Sequence, residues 1–188
     1  MQVDWFDLAS DHYKYFPDVL TVEQQNLIRT ELQSLSLPDA AKIYGKARQE
    51  FQYQNFSLDD FKNLINTHSL ILDYLKFYSQ AEASFGFCST FPVIAINHYQ
   101  FGGFIDPHYD ESKYRNLIAV YNICGETPFT LYADRQTPLQ KMTLKSGSLG
   151  LMGAPRNESE KKIRPLHSVG PVISERYAIV IRHEVSSG

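Results

Sequence analysis

The chain has 188 residues, of which 43% are hydrophobic and 13% aromatic, and its formal net charge is −3. This composition excludes a disordered polymer, and the slight acidity disfavours a protein that depends on broad contact with a phosphate backbone. The length favours one domain with its own core, residues 1–188, divided into a helical and lid region (1–80) and a β core (90–185).

The amino terminus lacks the basic and apolar segments of a secretory signal, and no apolar run approaches the roughly 18 residues that span a bilayer. The two cysteines, Cys88 and Cys124, have no metal-type spacing, which favours a reduced compartment. We therefore expect a monomer without a membrane partner, in the cytoplasm or, in a eukaryote, in the nucleus.

Two helices are predicted in the first part of the chain. One begins at the capping-box pattern Thr21-x-x-Gln24 and ends before Pro38. Its apolar stripe is Ile28, Leu32 and Leu35. The second begins at Ser57-x-x-Asp60. Its predicted core stripe is Phe61, Leu64, Ile65, Leu72 and Leu75. Between the helices, residues 42–57 lack a clean period and indicate a loop or hairpin.

After residue 90 the pattern changes to short strands separated by turns. The predicted strands are residues 93–99, 116–123, 129–133, 141–144, 148–153 and 176–182. Strands of this number and spacing are typical of a jelly-roll. The predicted class is α+β: a double-stranded β-helix (jelly-roll) core with supporting N-terminal helices and a lid segment.

The segment IDPHYDES, residues 105–112, holds a histidine and an aspartate two residues apart. In an extended chain His108 and Asp110 point to the same side. Among candidate third ligands, His167 fits best because it lies in RPLHSVG, close to the last strand. The less suitable histidines are His12, His68, His98 and His183. Two histidines and a carboxylate form the facial triad of non-heme Fe(II) oxygenases.

The last predicted strand places Arg176 and Arg182 six residues apart, so both share one face with Ala178 and Val180. The opposite face is formed by Tyr177, Ile179 and Ile181. Two buried guanidinium groups are costly unless they meet anions. A dicarboxylate such as 2-oxoglutarate meets that need. The alternative is that both arginines pair with surface acids on an edge strand.

In this order, the motifs resemble the AlkB family of Fe(II)/2-oxoglutarate-dependent dioxygenases. NHYQFGGFIDPHYDE (residues 97–111) is similar to the family's Asn-x-Tyr, Gly and His-x-Asp series. LKSGSLGLMG (residues 144–153), HSV (residues 167–169) and Arg-x5-Arg complete the resemblance. Upstream, YFPDVLTVEQQNLI resembles the entry helix and IYGKAR the segment before the lid. The likeness covers most of residues 15–184.

The resemblance implies an oxidoreductase that uses Fe(II), 2-oxoglutarate and O₂. The implied catalytic and metal-binding residues are His108, Asp110 and His167. It implies that Arg176 holds the far carboxylate of 2-oxoglutarate with help from Tyr99. Arg182 and Asn97 would contact the end nearest the metal.

The implied partner is alkylated single-stranded DNA or RNA, with Phe51 and Tyr53 as a stacking lid. Glu111 would accept a hydrogen bond from the base, or else be a solvated turn residue. A basic cluster would grip phosphate, or else be a solvated loop. Its residues are Lys161, Lys162 and Arg164.

Three departures from the family pattern bear on function: Ala178 where a polar residue is common, Pro165-Leu166 before the distal histidine, and Phe51-Gln52 in the lid. The last two weaken the case for nucleic acid. The main prediction is oxidative demethylation of nucleobases, as DNA repair or RNA demethylation. The alternative is a 2-oxoglutarate-dependent hydroxylase of a protein side chain or small metabolite. A third hypothesis is a non-catalytic binding module.

Overall fold

Two six-stranded antiparallel sheets form most of the structure, a computed structural model that describes residues 13–40, 43–44, 47–85, 90–155 and 164–185. The strands are β1 (Tyr13–Phe16), β2 (Ile43–Tyr44), β3 (Ala47–Glu50), β4 (Gln52–Phe56), β5 (Phe91–Tyr99), β6 (Phe104–His108), β7 (Leu117–Cys124), β8 (Thr127–Tyr132), β9 (Pro138–Leu144), β10 (Ser148–Gly153), β11 (Leu166–Val169) and β12 (Arg176–Glu184). The major sheet has the order β1-β10-β7-β12-β5-β4, and the minor sheet β2-β3-β6-β11-β8-β9. The predicted jelly-roll core is confirmed.

The first helix, α1 (Val22–Gln33), begins at the predicted capping box. Thr21 Oγ1 accepts a hydrogen bond from the Gln24 backbone N–H at 3.2 Å, and Gln24 Oε1 accepts one from the Thr21 N–H at 2.9 Å. These two bonds satisfy donors that a helix start leaves without partners. The helix ends well before Pro38, because Ser34 occupies the C-cap position.

The prediction that Ser57 and Asp60 begin the long second helix is wrong. They cap a short 3-10 helix (Leu58–Phe61), in which the Asp60 carboxylate accepts from the Ser57 N–H at 2.7 Å. The long helix, α2, spans Ile65–Phe85. Two residues of the predicted core stripe are exposed, Ile65 at 74% and Leu72 at 37%. The buried stripe is Thr67, Ile71, Tyr74, Tyr78 and Ala81.

A carboxylate from α1 sets the start of α2. Glu31 accepts hydrogen bonds from the backbone N–H groups of Asn66 and Thr67, at 2.9 and 2.8 Å. It also accepts from their side chains, at 2.7 Å each. The cap therefore comes from a neighbouring helix, and the local sequence around residue 65 contains no sign of it. Neither helix of the described residues is long and apolar enough to cross a membrane.

The major sheet separates two apolar layers. The helix layer lies between this sheet and the helices. Its buried residues include Ile28, Leu32, Phe61, Ile71, Leu149, Leu151, Ile179 and Ile181. The barrel layer lies between the two sheets. Its buried residues include Tyr13, Tyr99, Ile105, Phe129, Met152 and Val180. Strand β12 alternates between the layers as predicted, because successive side chains in a strand point to opposite faces.

The predicted loop or hairpin at residues 42–57 contains three strands. β2 and β3 form a hairpin, and β3 continues the minor sheet by pairing with β6. β4 pairs with β5 in the major sheet, and Phe51 is the one residue between β3 and β4. The crossing from one sheet to the other breaks the alternation of buried and exposed positions, so no single period runs through the segment. Residues 42, 45 and 46 of this segment lie outside the described residues.

Candidate active site

Two histidines face each other across neighbouring strands of the minor sheet. His108 ends β6 and His167 lies in β11, and the two are partners in the antiparallel register. Their ring centroids are 4.4 Å apart. Asp110 lies two residues beyond the end of β6, with its Oδ2 3.7 Å from His167 Nε2. The structure therefore brings the three predicted metal ligands together at the barrel's interior.

Backbone carbonyls orient both imidazole rings. His108 Nδ1 lies 3.0 Å from the Asp106 carbonyl oxygen, and His167 Nδ1 lies 2.9 Å from the Pro165 carbonyl oxygen. A carbonyl oxygen can only accept, so each Nδ1 donates, and Nε2 is the ring nitrogen that could ligate a metal. Burial, together with the neighbouring His167, lowers the pKa of His108 to about 3. An imidazole whose Nδ1 donates to a backbone carbonyl in this way is a typical metal ligand.

The Asp110 carboxylate is held ionised inside the protein. Burial alone would raise its pKa, but the Arg182 guanidinium and the two histidines outweigh burial, so the pKa lies below its ordinary value. Arg182 Nε donates to Asp110 Oδ1 at 3.2 Å. Arg164 Nη1 donates to the Asp110 backbone oxygen at 2.7 Å. One oxygen is thus fixed by Arg182, while Oδ2 faces His167.

This donor set fits Fe(II) in kind: two imidazole nitrogens and one carboxylate oxygen. Among the described residues, no three donor side chains already stand at distances that would enclose a metal ion. Asp110 Oδ2 lies 3.7 Å from His167 Nε2, so both atoms would contact an ion placed between them.

A buried cation lies at the other end of the same interior. Arg176 is 1% exposed, its Nε donates to Asn122 Oδ1 at 2.6 Å, and its guanidinium carbon lies 4.8 Å from the centre of the Tyr99 ring. No acidic side chain pairs with it within the described part of the chain. The alternative of surface acids on an edge strand is wrong for Arg176, because β12 lies between β5 and β7. A buried arginine without an acid calls for an anionic ligand.

The remaining predicted co-substrate residues line the space between these two ends. Arg182 pairs with Asp110 and lies over the Tyr114 ring, 5.0 Å from its centre. Asn97 Oδ1 is buried without a hydrogen-bond partner among the described residues. The Tyr99 hydroxyl lies within reach of hydrogen bonds from Arg176 and Asn97. The roles of these residues in binding 2-oxoglutarate stay predictions.

Two adjoining cavities border these groups, and six side chains line both of them. The inner cavity reaches from Arg176 past Tyr99 to the two histidines. The outer cavity shares His108 and Asp110 with the inner one. The outer walls include Gln49, Phe51, Tyr53, Glu111 and Tyr114. Phe51 stacks on Tyr99 with ring centroids 4.6 Å apart, so it lies between the two cavities. The inner cavity therefore borders both the histidine pair and Arg176.

The four histidines that were judged less suitable as metal ligands lie away from the cavity or outside the described residues. His98 faces the opposite side of β5 from Asn97 and Tyr99, as predicted, and bonds to Gln52 and Glu175. His183 belongs to β12 and does not follow it; it packs in the helix layer against Tyr78. His12 lies outside the described residues. His68 lies on α2.

The predicted basic cluster is only partly described, since Lys161 and Lys162 fall outside the described residues. Arg164 stacks over the Tyr109 ring and bonds to the Asp110 backbone, so it supports the metal-ligand loop. Neither of the two predicted roles of this cluster, a phosphate grip or a solvated loop, included this contact. Sequence reasoning also missed Asn122 and Tyr13, which enter the site only through sheet pairing.

Comparison with known proteins identifies the fold. A prolyl-4-hydroxylase of Pseudomonas putida superposes with a TM-score of 0.67 at 16% identity, over 97% of each chain. A prolyl hydroxylase from Trichoplax adhaerens, in complex with a hypoxia-inducible-factor peptide fragment, gives 0.67 at 14% identity, over 95% of this chain and 86% of that one. The chain has the fold of these prolyl hydroxylases.

A third structure agrees. The viral collagen prolyl hydroxylase of Paramecium bursaria Chlorella virus-1, in its 2OG complex, gives a TM-score of 0.59 at 14% identity, over 93% of this chain and 96% of that one. No protein-family model and no curated protein sequence matches the chain. The similarity is therefore one of architecture, and it covers almost the whole chain.

Proposed function

We propose that the protein is an Fe(II)/2-oxoglutarate-dependent dioxygenase that hydroxylates a side chain of a protein or peptide. One observation carries the proposal: a single cavity borders the predicted metal ligands His108, Asp110 and His167 and also Arg176. Arg176 is buried and has no acidic partner among the described residues. A ligand with one chelating end and one distant carboxylate satisfies both ends at once. We propose further that the chain works as one domain.

The chain's own residues have distinct parts in this chemistry. His108 and His167 present Nε2, and Asp110 presents Oδ2, to the metal. Arg176, with Tyr99, holds the far carboxylate of 2-oxoglutarate. When bound, Fe(II) with 2-oxoglutarate and O₂ supplies oxidative decarboxylation to succinate and CO₂, coupled to oxidation of a substrate C–H bond. The apolar walls of the barrel layer keep bulk water from the reacting atoms.

A peptide substrate is favoured over a nucleobase. The three structures described above are all prolyl hydroxylases, and one of them contains a peptide fragment. The outer cavity supports the same choice, because Phe51, Tyr53 and Tyr114 offer aromatic surface against which an apolar side chain can pack. Arg164, the described member of the predicted phosphate grip, is engaged with the Asp110 loop.

Nucleobase demethylation is the second candidate, and membership of the AlkB family stays a prediction. One observation favours it: Glu111 lies on the same wall as the aromatic side chains of the outer cavity. A carboxylate there can accept a hydrogen bond from a base stacked on Phe51 or Tyr53. The base would have to be single-stranded or flipped from its stack to reach the histidines.

The decisive experiment follows the mass of the product. Purified protein with Fe(II), ascorbate and 2-oxoglutarate is offered a proline-containing peptide library, and separately single-stranded DNA and RNA that carry methylated bases. A gain of about 16 mass units on a peptide supports hydroxylation, whereas a loss of about 14 on an oligonucleotide supports demethylation. His108→Ala is the control. Failure of the wild-type protein to form succinate with any substrate or alone would overturn the oxygenase proposal.

A further inference from the structure

The strand β1 inserts an aromatic residue into the inner cavity. Tyr13 pairs with Met152 of β10, and its ring stacks on Phe129 with centroids 4.9 Å apart. A Cβ placed on Gly150 would lie 3.0 Å from the Tyr13 hydroxyl oxygen, so the absence of a side chain at residue 150 makes room for the phenol. Tyr13 lines the inner cavity together with Arg176 and Tyr99.

The hydroxyl of Tyr13 has no partner of its own. The residue is 7% exposed, and its oxygen is buried without a hydrogen bond to the described residues. Leaving a buried hydroxyl unpaired is destabilising, so most buried polar groups in proteins have a hydrogen-bond partner. Its neighbour on the same strand differs: Tyr15 accepts a hydrogen bond from the Lys145 backbone N–H at 3.1 Å.

The electrostatic surroundings make the phenol a donor. Burial raises the pKa of Tyr13 far above its ordinary value, and Arg176 is close enough for its charge to oppose that rise. The phenol therefore keeps its proton at physiological pH. Arg176 itself donates to Asn122 Oδ1 and lies over the Tyr99 ring, and no acid among the described residues pairs with it. Two donors, one charged and one neutral, thus face the interior, and neither of them is paired with an acid among the described residues.

We infer that Tyr13 is a specificity residue for the co-substrate: its hydroxyl donates to the distal carboxylate that Arg176 holds. The inference rests on the proposed function and deepens it. Ala178, two residues beyond Arg176 on the same face, has only a methyl group, so β12 offers no further donor there. The donor comes instead from β1, through the space above Gly150. Tyr13 makes the cavity selective for a 2-oxo acid with a second carboxylate.

The test compares two phenol deletions on one strand. Tyr13→Phe removes the unpaired hydroxyl, and Tyr15→Phe removes the paired one. Binding to Mn(II)-loaded protein is measured by calorimetry for 2-oxoglutarate and for 2-oxobutyrate, which lacks the distal carboxylate. Tyr13→Phe is expected to weaken 2-oxoglutarate binding by about tenfold to a hundredfold, since a bond to a charged group is lost, and to leave 2-oxobutyrate binding unchanged. Tyr15→Phe should bind both as the wild type does.

Thermal unfolding of the ligand-free protein supplies the second readout. Tyr13→Phe should unfold at the same temperature as the wild type or higher, because it removes an unsatisfied buried group. An unchanged 2-oxoglutarate affinity in Tyr13→Phe, or an equal loss for both ligands, overturns the assignment. If the wild-type protein itself does not bind 2-oxoglutarate, the proposed function fails first, so the two failures are distinguishable.

Discussion

Polar side chains on the two faces of the major sheet differ in whether they have hydrogen-bond partners. In the helix layer, the His183 ring stacks on Tyr78 at 3.5 Å and bonds to Tyr74 at 3.1 Å. Glu31 receives four hydrogen bonds from the start of α2. In the barrel layer, the hydroxyl of Tyr13 and Oδ1 of Asn97 have no partner among the described residues, and Arg176 has no acid.

This difference in hydrogen bonding indicates which polar side chains stabilise the fold and which take part in binding. Two further unpartnered atoms lie on the helices, Arg29 Nε and Glu82 Oε1, but these side chains reach solvent in part. The polar groups of His183 and Glu31 are satisfied by contacts within the fold itself. The unpartnered polar groups of the barrel layer would gain hydrogen-bond partners from a bound ligand. Substitutions should therefore affect folding on one face and binding on the other.

The largest effect is expected at the histidine pair. His108→Ala removes a ligand whose Nε2 faces the interior, and we expect metal affinity to fall by more than about a hundredfold, beyond the loss typical of outer-shell partners. Mn(II) titration followed by electron paramagnetic resonance measures it. The matched control is His68→Ala, a histidine on α2 outside the cavity, which should leave the titration unchanged. Equal metal binding in both variants would contradict the ligand assignment.

A buried cation without an acid should matter for binding more than for folding. Arg176→Met is expected to weaken 2-oxoglutarate binding by about tenfold to a hundredfold, because a charge-assisted contact is lost. Its free energy of unfolding should change little, since removing a buried, unpaired charge offsets the lost bond to Asn122. Calorimetry and urea unfolding measure the two quantities.

Arg29 provides the contrast for this prediction. Arg29 pairs with Glu175, and their side chains are 42% and 38% exposed. Arg29→Met should cost under about 1 kcal/mol of stability, as exposed ion pairs do, and should not alter 2-oxoglutarate affinity. A large stability loss in Arg176→Met with unaltered affinity would reverse the comparison between the two arginines.

A smaller effect is expected from the support of the Asp110 loop. Arg164→Met removes the bond to the Asp110 backbone oxygen. Metal affinity should fall by roughly tenfold, the scale of an outer-shell contribution, and Arg164→Lys should recover part of it. Metal titration of the three proteins checks the order. If the loss of affinity is absent, the loop does not need this contact.

The smallest effect on function, and a clear one on stability, is expected at Glu31. Burial raises its pKa, but the four hydrogen bonds outweigh burial, so the pKa lies below the ordinary value of 4.5. A carboxyl with a lowered folded-state pKa stabilises the protein above its unfolded-state pKa, and this stabilisation is lost as the pH falls through the folded-state value. Glu31→Gln should cost about 1–2 kcal/mol at pH 7.

Denaturant unfolding at several pH values tests the Glu31 prediction. The gap between wild type and Glu31→Gln should shrink as the pH falls below about 4.5, whereas 2-oxoglutarate binding at pH 7 stays unchanged. Glu126→Gln, at an exposed position, is the control and should show no gap. A gap independent of pH would mean that the carboxylate charge is not what stabilises α2.

The periodicity of the sequence predicted those elements whose structure depends on residues close together in the chain. The predicted strands 148–153 and 176–182 became β10 with the same bounds and β12 with two more residues. Alternation along β12 also predicted which residues face the barrel. The start of α2 could not be predicted, because its cap, Glu31, comes from another helix. The short strands β1 and β11 have too few residues to show a period.

The residues of the candidate site also divide into those that the sequence could predict and those that it could not. His108, Asp110 and His167 could be chosen from spacing and chain order, although their meeting depends on the register between β6 and β11. Tyr13 could not be chosen, because it reaches the cavity only through pairing with β10 and the missing side chain of Gly150. Long-range pairing of this kind leaves no trace in the residues near either partner.

The alternation along β12 also guards the folding chain against error. A slip by one residue against β5 would turn Arg176 and Arg182 toward the helices and Ile179 into the barrel layer. Charges would then be buried against apolar helix surfaces, which raises the free energy of the slipped arrangement. The two arginines therefore act as register markers during folding, before any ligand is present.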